Sequence, residues 1–273
     1  MVSVFVTNRA YTSTLIKLLV PILLGPAAAF CQAIPAPSSA LFDTTRQPKP
    51  APTEPKVELS PEARGDVFMA RKMYRDAIDA YRQGPSNSAV TWNKIGIAYH
   101  QMQELNAAQK NYEHAIKIDS RYSEAINNLG TIFYARKKYH AAISRYNAAL
   151  RVKPDTASYY SNLGTAYFAR KDYKRAALSY QTAVKLDPDI FENHSTFGTT
   201  LQERNVEEFA KFHYYLARTY AKAGQSERAL LYIRKALEEG FKERKLFMEE
   251  PEFADLRTTP EFKELMTLEP RVL

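Results

Sequence analysis

Five histidines, one cysteine and three adjacent carboxylate pairs are what this chain offers to chemistry. His100, His114, His140, His194 and His213 show none of the short spacings that gather imidazoles round a metal. Cys31 stands alone, so neither a disulfide within the chain nor a cysteine metal cage can form. Glu207/Glu208, Glu238/Glu239 and Glu249/Glu250 are sequence neighbours. On a helix, neighbours point about 100° apart and do not face each other, so they form no acid/base pair. No P-loop, Rossmann fingerprint, H-E-x-x-H or G-x-S-x-G occurs. The expectation is no enzyme, no metal and no cofactor. The chemistry that remains is recognition. Asn93, Asn127, Asn128 and Asn162 carry amides that both donate and accept, as a peptide bond does. Thr131, Ser161 and Thr165 add hydroxyls, and Ile97, His100, Tyr134 and Phe168 add surface for a ligand's side chains.

Those residues recur with a period. Gly96, Gly130, Gly164 and Gly198 stand 34 residues apart. Ala108, Ala142, Ala176 and Ala210 keep step, as do Tyr112, Tyr146, Tyr180 and Tyr214, and Ala115, Ala149, Ala183 and Ala217. A period of this length means one supersecondary unit, repeated, each copy burying its apolar face only against its neighbours. In the copy from Ser123 to Thr156, Ile126, Leu129, Gly130 and Phe133 share one helical stripe. The spacing predicts a first helix over about Tyr122–Arg136 and a second over about Tyr139–Val152, stopped by Pro154 as Pro188 stops the next. A glycine in the middle of a helix costs about 1 kcal/mol against alanine. Its repetition implies close approach of the partner helix.

These columns resemble the tetratricopeptide repeat: Trp92, Ile95, Gly96 and Tyr99, then Ala108, Tyr112 and Ala115. Strong copies begin near Ala89, Ser123 and Ala157, covering 89–122, 123–156 and 157–190. A weaker copy precedes them, with Gly65, Phe68, Ala77 and Tyr81; its glycine lies 31 residues before Gly96, so its second helix or its turn is shorter. The resemblance implies an all-α, right-handed α-solenoid over residues 58–242. After Pro188 two frames overlap. Ala210, Tyr214 and Ala217 read as a second helix, whereas Leu216, Ala217, Tyr220, Ala229 and Ala236 fit a frame starting near Ala210. One helix over Val206–Lys222 is expected to serve both. Residues 243–273 are expected to form short capping helices, with Thr259 and Pro260 starting the last.

In tetratricopeptide arrays the first helices line a concave groove. The resemblance therefore places Asn93, Ile97, His100, Asn127, Asn128, Thr131, Tyr134, Ser161, Asn162, Thr165 and Phe168, with Val90, Lys94, Glu124 and Ser158, on a peptide-binding face. Asn128 and Asn162 look like the asparagine ladder of the O-linked N-acetylglucosamine transferases; Lys94, Thr196 and Tyr215 interrupt it. Removing both amides, in Asn128→Ala with Asn162→Ala, is expected to weaken peptide binding without unfolding the chain. A co-chaperone carboxylate clamp is not expected, because Ser158 and Asn162 stand where its later cations would be.

The first 33 residues read as a signal peptide. Arg9 and Lys17 precede an apolar stretch from Leu18 to Cys31, and Ala27–Ala29 precede a cut after Cys31 or Ala33. A retained anchor is the alternative; lipidation at Cys31 would need a smaller residue than Phe30 before it. Residues 34–57, with Pro35, Pro37, Pro48, Pro50, Pro52 and Pro55, read as a linker that is either a semi-rigid spacer or an unstructured start. The chain is thus expected to be exported, periplasmic or secreted. Membrane association is expected only through the N-terminus. A net charge of +8 with nearly as many acids as bases does not mark a nucleic-acid binder. Arg136, Lys137 and Lys138 recur as Arg170, Lys171, Lys174 and Arg175 along one rim; this reads first as charge favourable to helix C-termini and to solubility, with an anionic partner or lipid headgroups as the alternative. The expected function is a non-enzymatic protein–protein interaction scaffold of the cell envelope that holds an extended peptide. The alternatives are an oligomerisation module, given that self-association is open to such arrays, or an accessory subunit of an envelope enzyme complex.

Overall fold

The computed structural model describes residues 59–192 and 206–268. The expected export segment and linker, and His194, Thr196 and Gly198, lie outside the described residues. The described elements are helices: α1 (Pro61–Ala70), α2 (Tyr74–Arg82), α3 (Ala89–Gln101), α4 (Leu105–Ile118), α5 (Ser123–Ala135), α6 (Tyr139–Val152), α7 (Ala157–Ala169), α8 (Tyr173–Leu186), α9 (Val206–Lys222), α10 (Ser226–Glu238), α11 (Lys245–Glu249) and α12 (Pro260–Met266). From α1 to α10, consecutive odd and even helices pair as hairpins, and each hairpin packs on the next. The result is an all-α solenoid. The first hairpin is short because α2 has 9 residues where α4 has 14, which accounts for the 31-residue step.

Each hairpin turns in the same way. The N–H of Lys72 bonds Met69 O and that of Met73 bonds Phe68 O. The same pair of bonds recurs at Gln103/Glu104, Lys137/Lys138, Lys171/Asp172 and Gly224/Gln225. This closes the carbonyls left open at a helix end and demands one residue with left-handed backbone. Lys72, Gln103, Lys137 and Lys171 supply it at φ 60°, 62°, 58° and 60°, and Gly224 at 73°. Helix starts are marked too: the side chains of Ser60, Ser88 and Asp172 accept from the N–H groups of Ala63, Thr91 and Arg175.

The glycine and tyrosine columns meet inside each hairpin. A Cβ on Gly65, Gly96, Gly130 or Gly164 would lie 2.2, 2.6, 2.7 or 2.5 Å from the ring of Tyr81, Tyr112, Tyr146 or Tyr180. The ring occupies the volume the glycine leaves open. In the fifth hairpin Ala217 and Ile233, both fully buried, stand in the two columns. A methyl returns on one side as the partner loses its ring.

That pairing corrects the two-frame expectation for α9. It turns into α10 through Gly224 and packs back on α8, as each earlier first helix packs on the second helix before it. Tyr214 does not fill the hairpin as Tyr180 does. It stacks on Phe241 at 4.6 Å and meets Phe247 and Phe253, so it faces the C-terminal segment. Arg218 of α9 pins that segment by pairing with Glu250 at 3.1 Å and Glu252 at 2.8 Å. The hydroxyl of Thr259 accepts from Phe262 N to start α12, which lays Phe262 and Leu265 into the core beside α10.

Candidate functional site

The site must be sought on the first helices, because these touch one another directly along the stack. Asn128 Nδ2 donates to Asn93 Oδ1 at 3.0 Å, and Asn162 Nδ2 donates to Asn127 Oδ1 at 3.0 Å. The same step at the first seam is ionic: Lys94 Nζ reaches Glu62 and Asp66, each at 2.7 Å. Burial works against the Lys94 ammonium, but its hydrogen bonds to Asp66 and Glu62 outweigh that and hold it above the usual lysine value. Tyr159 adds a hydroxyl contact to Ser123 at 3.2 Å. Thus the Lys94/Asn128/Asn162 column always reaches back to the Glu62/Asn93/Asn127 column of the preceding hairpin. At the next seam Tyr215 takes this place and packs against Phe168 and Tyr173.

The asparagines are therefore spent largely on one another. Asn93, Asn127, Asn128 and Ser161 are buried, and Asn162 is half-buried. Asn128→Ala with Asn162→Ala, expected to weaken peptide binding without unfolding the chain, carries a cost in stability. Each truncation orphans a buried amide partner, at about 1–3 kcal/mol. The double variant is expected to melt earlier in a thermal denaturation followed by circular dichroism.

The hydroxyl column also works inward. Tyr146 and Tyr180 donate to Thr131 and Thr165 at 3.4 Å, and Tyr81 donates to Asp66, the equivalent residue of the first hairpin, at 2.7 Å. In the second hairpin Ile97 stands there, and the buried Tyr112 hydroxyl has no partner. Burial raises that phenol well above its ordinary value. Tyr112→Phe removes an unsatisfied donor, so it is expected to be neutral or stabilising by about 1 kcal/mol in urea denaturation. The matching change Tyr180→Phe gives up a bond and should not stabilise.

His100, Tyr134 and Phe168 are buried as well. Tyr134 packs its ring on Tyr139 at 5.2 Å, and Phe168 on Tyr173 and Phe212. His100 is 1% exposed, and both ring nitrogens lack a partner. Burial lowers its pKa to about 4.

The accessible stripe of the first helices lies a little further round the helix. Val90 and Ala135 are exposed; Lys94, Glu124, Thr131, Ser158, Asn162, Gln101 and Ala169 are half-buried. At about 100° per residue, the Val90, Lys94, Ile97 and Gln101 columns fall within a sector of about 60°, and the Asn93 and His100 columns turn away from it. Sequence reasoning placed Val90, Glu124 and Ser158 on the face but missed Gln101, Ala135 and Ala169. The signal was the same wheel, read one residue later. Among the described residues no group of three or more His, Cys, Asp or Glu side chains could hold a metal ion, and no helix is long and apolar enough to cross a membrane.

Two family models described as tetratricopeptide repeat match the chain, over residues 87–155 and 127–189. No curated protein sequence matches. Among solved structures, a crystal structure of MamA is 22% identical, covering 64% of this chain and 93% of its own, at TM-score 0.45. MamA from Desulfovibrio magneticus RS-1 is 18% identical, covering 64% and 90%, at TM-score 0.45. YrrB, described as carrying an unusual peptide-binding site, is 16% identical, covering 64% and 82%, at TM-score 0.42.

Proposed function

We propose, from the premise that this chain is a tetratricopeptide repeat protein, that it is an interaction scaffold holding an extended segment of another protein along its first helices. The observation that carries this reading is the seam. Asparagine pairs and the Lys94 ion pairs tie α1, α3, α5 and α7 into one continuous face, so side chains from different hairpins keep a fixed spacing. A ligand meets the stripe of Val90, Lys94, Glu124, Thr131, Ala135, Ser158 and Asn162. The buried asparagines hold the stripe in place from below. A net hydrogen bond is worth about 0.5–1.5 kcal/mol, so a few with some apolar contact give about 6–9 kcal/mol, on the order of micromolar affinity.

Ala135→Arg with Ser158→Arg tests this, because both residues sit on the stripe and neither fills the seam. Proteins retained by the immobilised wild-type chain should be lost from the double variant at an unchanged melting temperature. Retention of the same proteins by the variant would move the binding site elsewhere.

Export rests on the sequence of residues 1–33, with a basic start, an apolar run and small residues before the cut. N-terminal sequencing of the chain from its native cell should find a start close to Gln32 or Ile34. A start at Met1 would leave an anchor or no export signal.

A further inference from the structure

The turns inside the hairpins all reach one edge of the stack, because each hairpin repeats the geometry of the last. Along this edge stand Arg71 and Lys72, then Arg136, Lys137 and Lys138, then Arg170 and Lys171. All are exposed except Arg136, which is half-buried and donates to Gln109 and Asn106. The second turn adds exposed Glu104 and the fourth adds Asp172, which pairs with Arg175, so this edge carries basic residues in excess. The opposite edge is more evenly mixed: Arg82, Lys117, Arg151 and Lys185 end its helices beside Asp119, Asp155, Asp187 and Asp189.

Favourable charge at helix C-termini accounts poorly for the cationic edge. There the C-terminus of each first helix meets the N-terminus of the second, and the two dipole ends oppose. The basic residues include the turn positions with left-handed backbone. Lys72, Lys137 and Lys171 occupy the left-handed position of the turn, which glycine takes without steric cost and which Gly224 fills in the fifth hairpin. Uncharged Gln103 holds the same position in the second hairpin, so the left-handed residue is common to the turns and the charge is particular to the first, third and fourth.

We propose that this edge is a docking surface for anionic lipid headgroups. The turn tips protrude and follow one another at about 10 Å, so the charges of the first, third and fourth hairpins form a row about 30 Å long. A row of protruding point charges fits a broad negative plane. A bound peptide would instead need a groove with backbone partners or pockets, which turn tips do not provide. Met73, 41% exposed beside Lys72, adds an apolar contact at the same edge. Membrane association is then not confined to the N-terminus.

The test uses the full chain and two kinds of vesicle, phosphatidylcholine alone and phosphatidylcholine mixed with phosphatidylglycerol. The readout is the extra binding that the anionic lipid confers, so any attachment through the N-terminus cancels. Wild type should show an increment that fades with added salt. The triple variant Lys72→Gly, Lys137→Gly and Lys171→Gly should lose it by roughly 100-fold, with a melting temperature that holds or rises. The pair Lys138→Gln and Arg170→Gln, away from the strained positions, should lower it roughly 30-fold. An undiminished increment in either variant overturns the proposal. So does a wild-type chain that gains nothing from phosphatidylglycerol but binds a soluble polyglutamate peptide, which would make the partner an acidic polypeptide.

Discussion

Gly96→Ala should cost the protein about 2 kcal/mol, although alanine is the better helix former. The propensity gain is about 1 kcal/mol. Against it stands a new Cβ that would lie 2.6 Å from two ring atoms of Tyr112. That is about 1 Å inside ordinary carbon contact. Tyr112 is fully buried, so its ring cannot swing away without moving α4 off α3. Overpacking of this kind costs about 1–3 kcal/mol, and a ring with no free side sits at the upper end. The overpacking exceeds the propensity gain. Urea denaturation of the full chain measures the loss. The fifth hairpin supplies its own control: Ala217 and Ile233 already hold the alternative pairing. Gly96→Ala combined with Tyr112→Ile should therefore recover part of what Gly96→Ala loses. Strict additivity of the two single changes would mean that the glycine and the ring are not coupled.

Acid should weaken the array through His100, by about 3 kcal/mol between pH 6.5 and 4. In the unfolded chain this imidazole takes up a proton near pH 6.5. In the fold, burial with no partner at either nitrogen delays protonation to about 4. Between those values the unfolded chain binds more protons, so stability is whole above pH 6.5 and is lost as pH falls through the folded value. A gap of about 2.5 units at about 1.36 kcal/mol each sets the size. Tyr134 and Phe168 occupy the same column in the next two hairpins, so an aromatic ring without nitrogens fits there. His100→Phe should remove this part of the pH dependence in urea denaturation at pH 7 and pH 4.5. It should also be more stable than wild type at pH 4.5. An unchanged slope would place the acid sensitivity elsewhere.

The helices were legible because the chain repeats itself. Each periodic column states a role three or four times, and α6 falls on the expected Tyr139–Val152. A close approach at each glycine was legible for the same reason, since a helix keeps glycine at some cost only where something else needs the space; that the tyrosine ring fills it was seen only in the structure. The fifth hairpin was read less well, because Ala217 serves two frames and only its partner decides between them. The site was half legible. Membership of the first-helix face follows from a 3.6-residue period, which places a column to within about one residue. One residue is about 100° of rotation, enough to separate the accessible Ala135 from the buried Tyr134.

The amino-acid sequence alone determined the repeated hairpin, the periodic columns of its helices and the places where it turns. These depend on contacts between residues near in the chain, so spacing records them. Only the tertiary structure decided that Asn128 answers Asn93 and that Asn162 answers Asn127. Those facts depend on the angle at which one hairpin leans on the next and on which way each side chain then points. Packing across the seams sets both, and no single repeat contains that information.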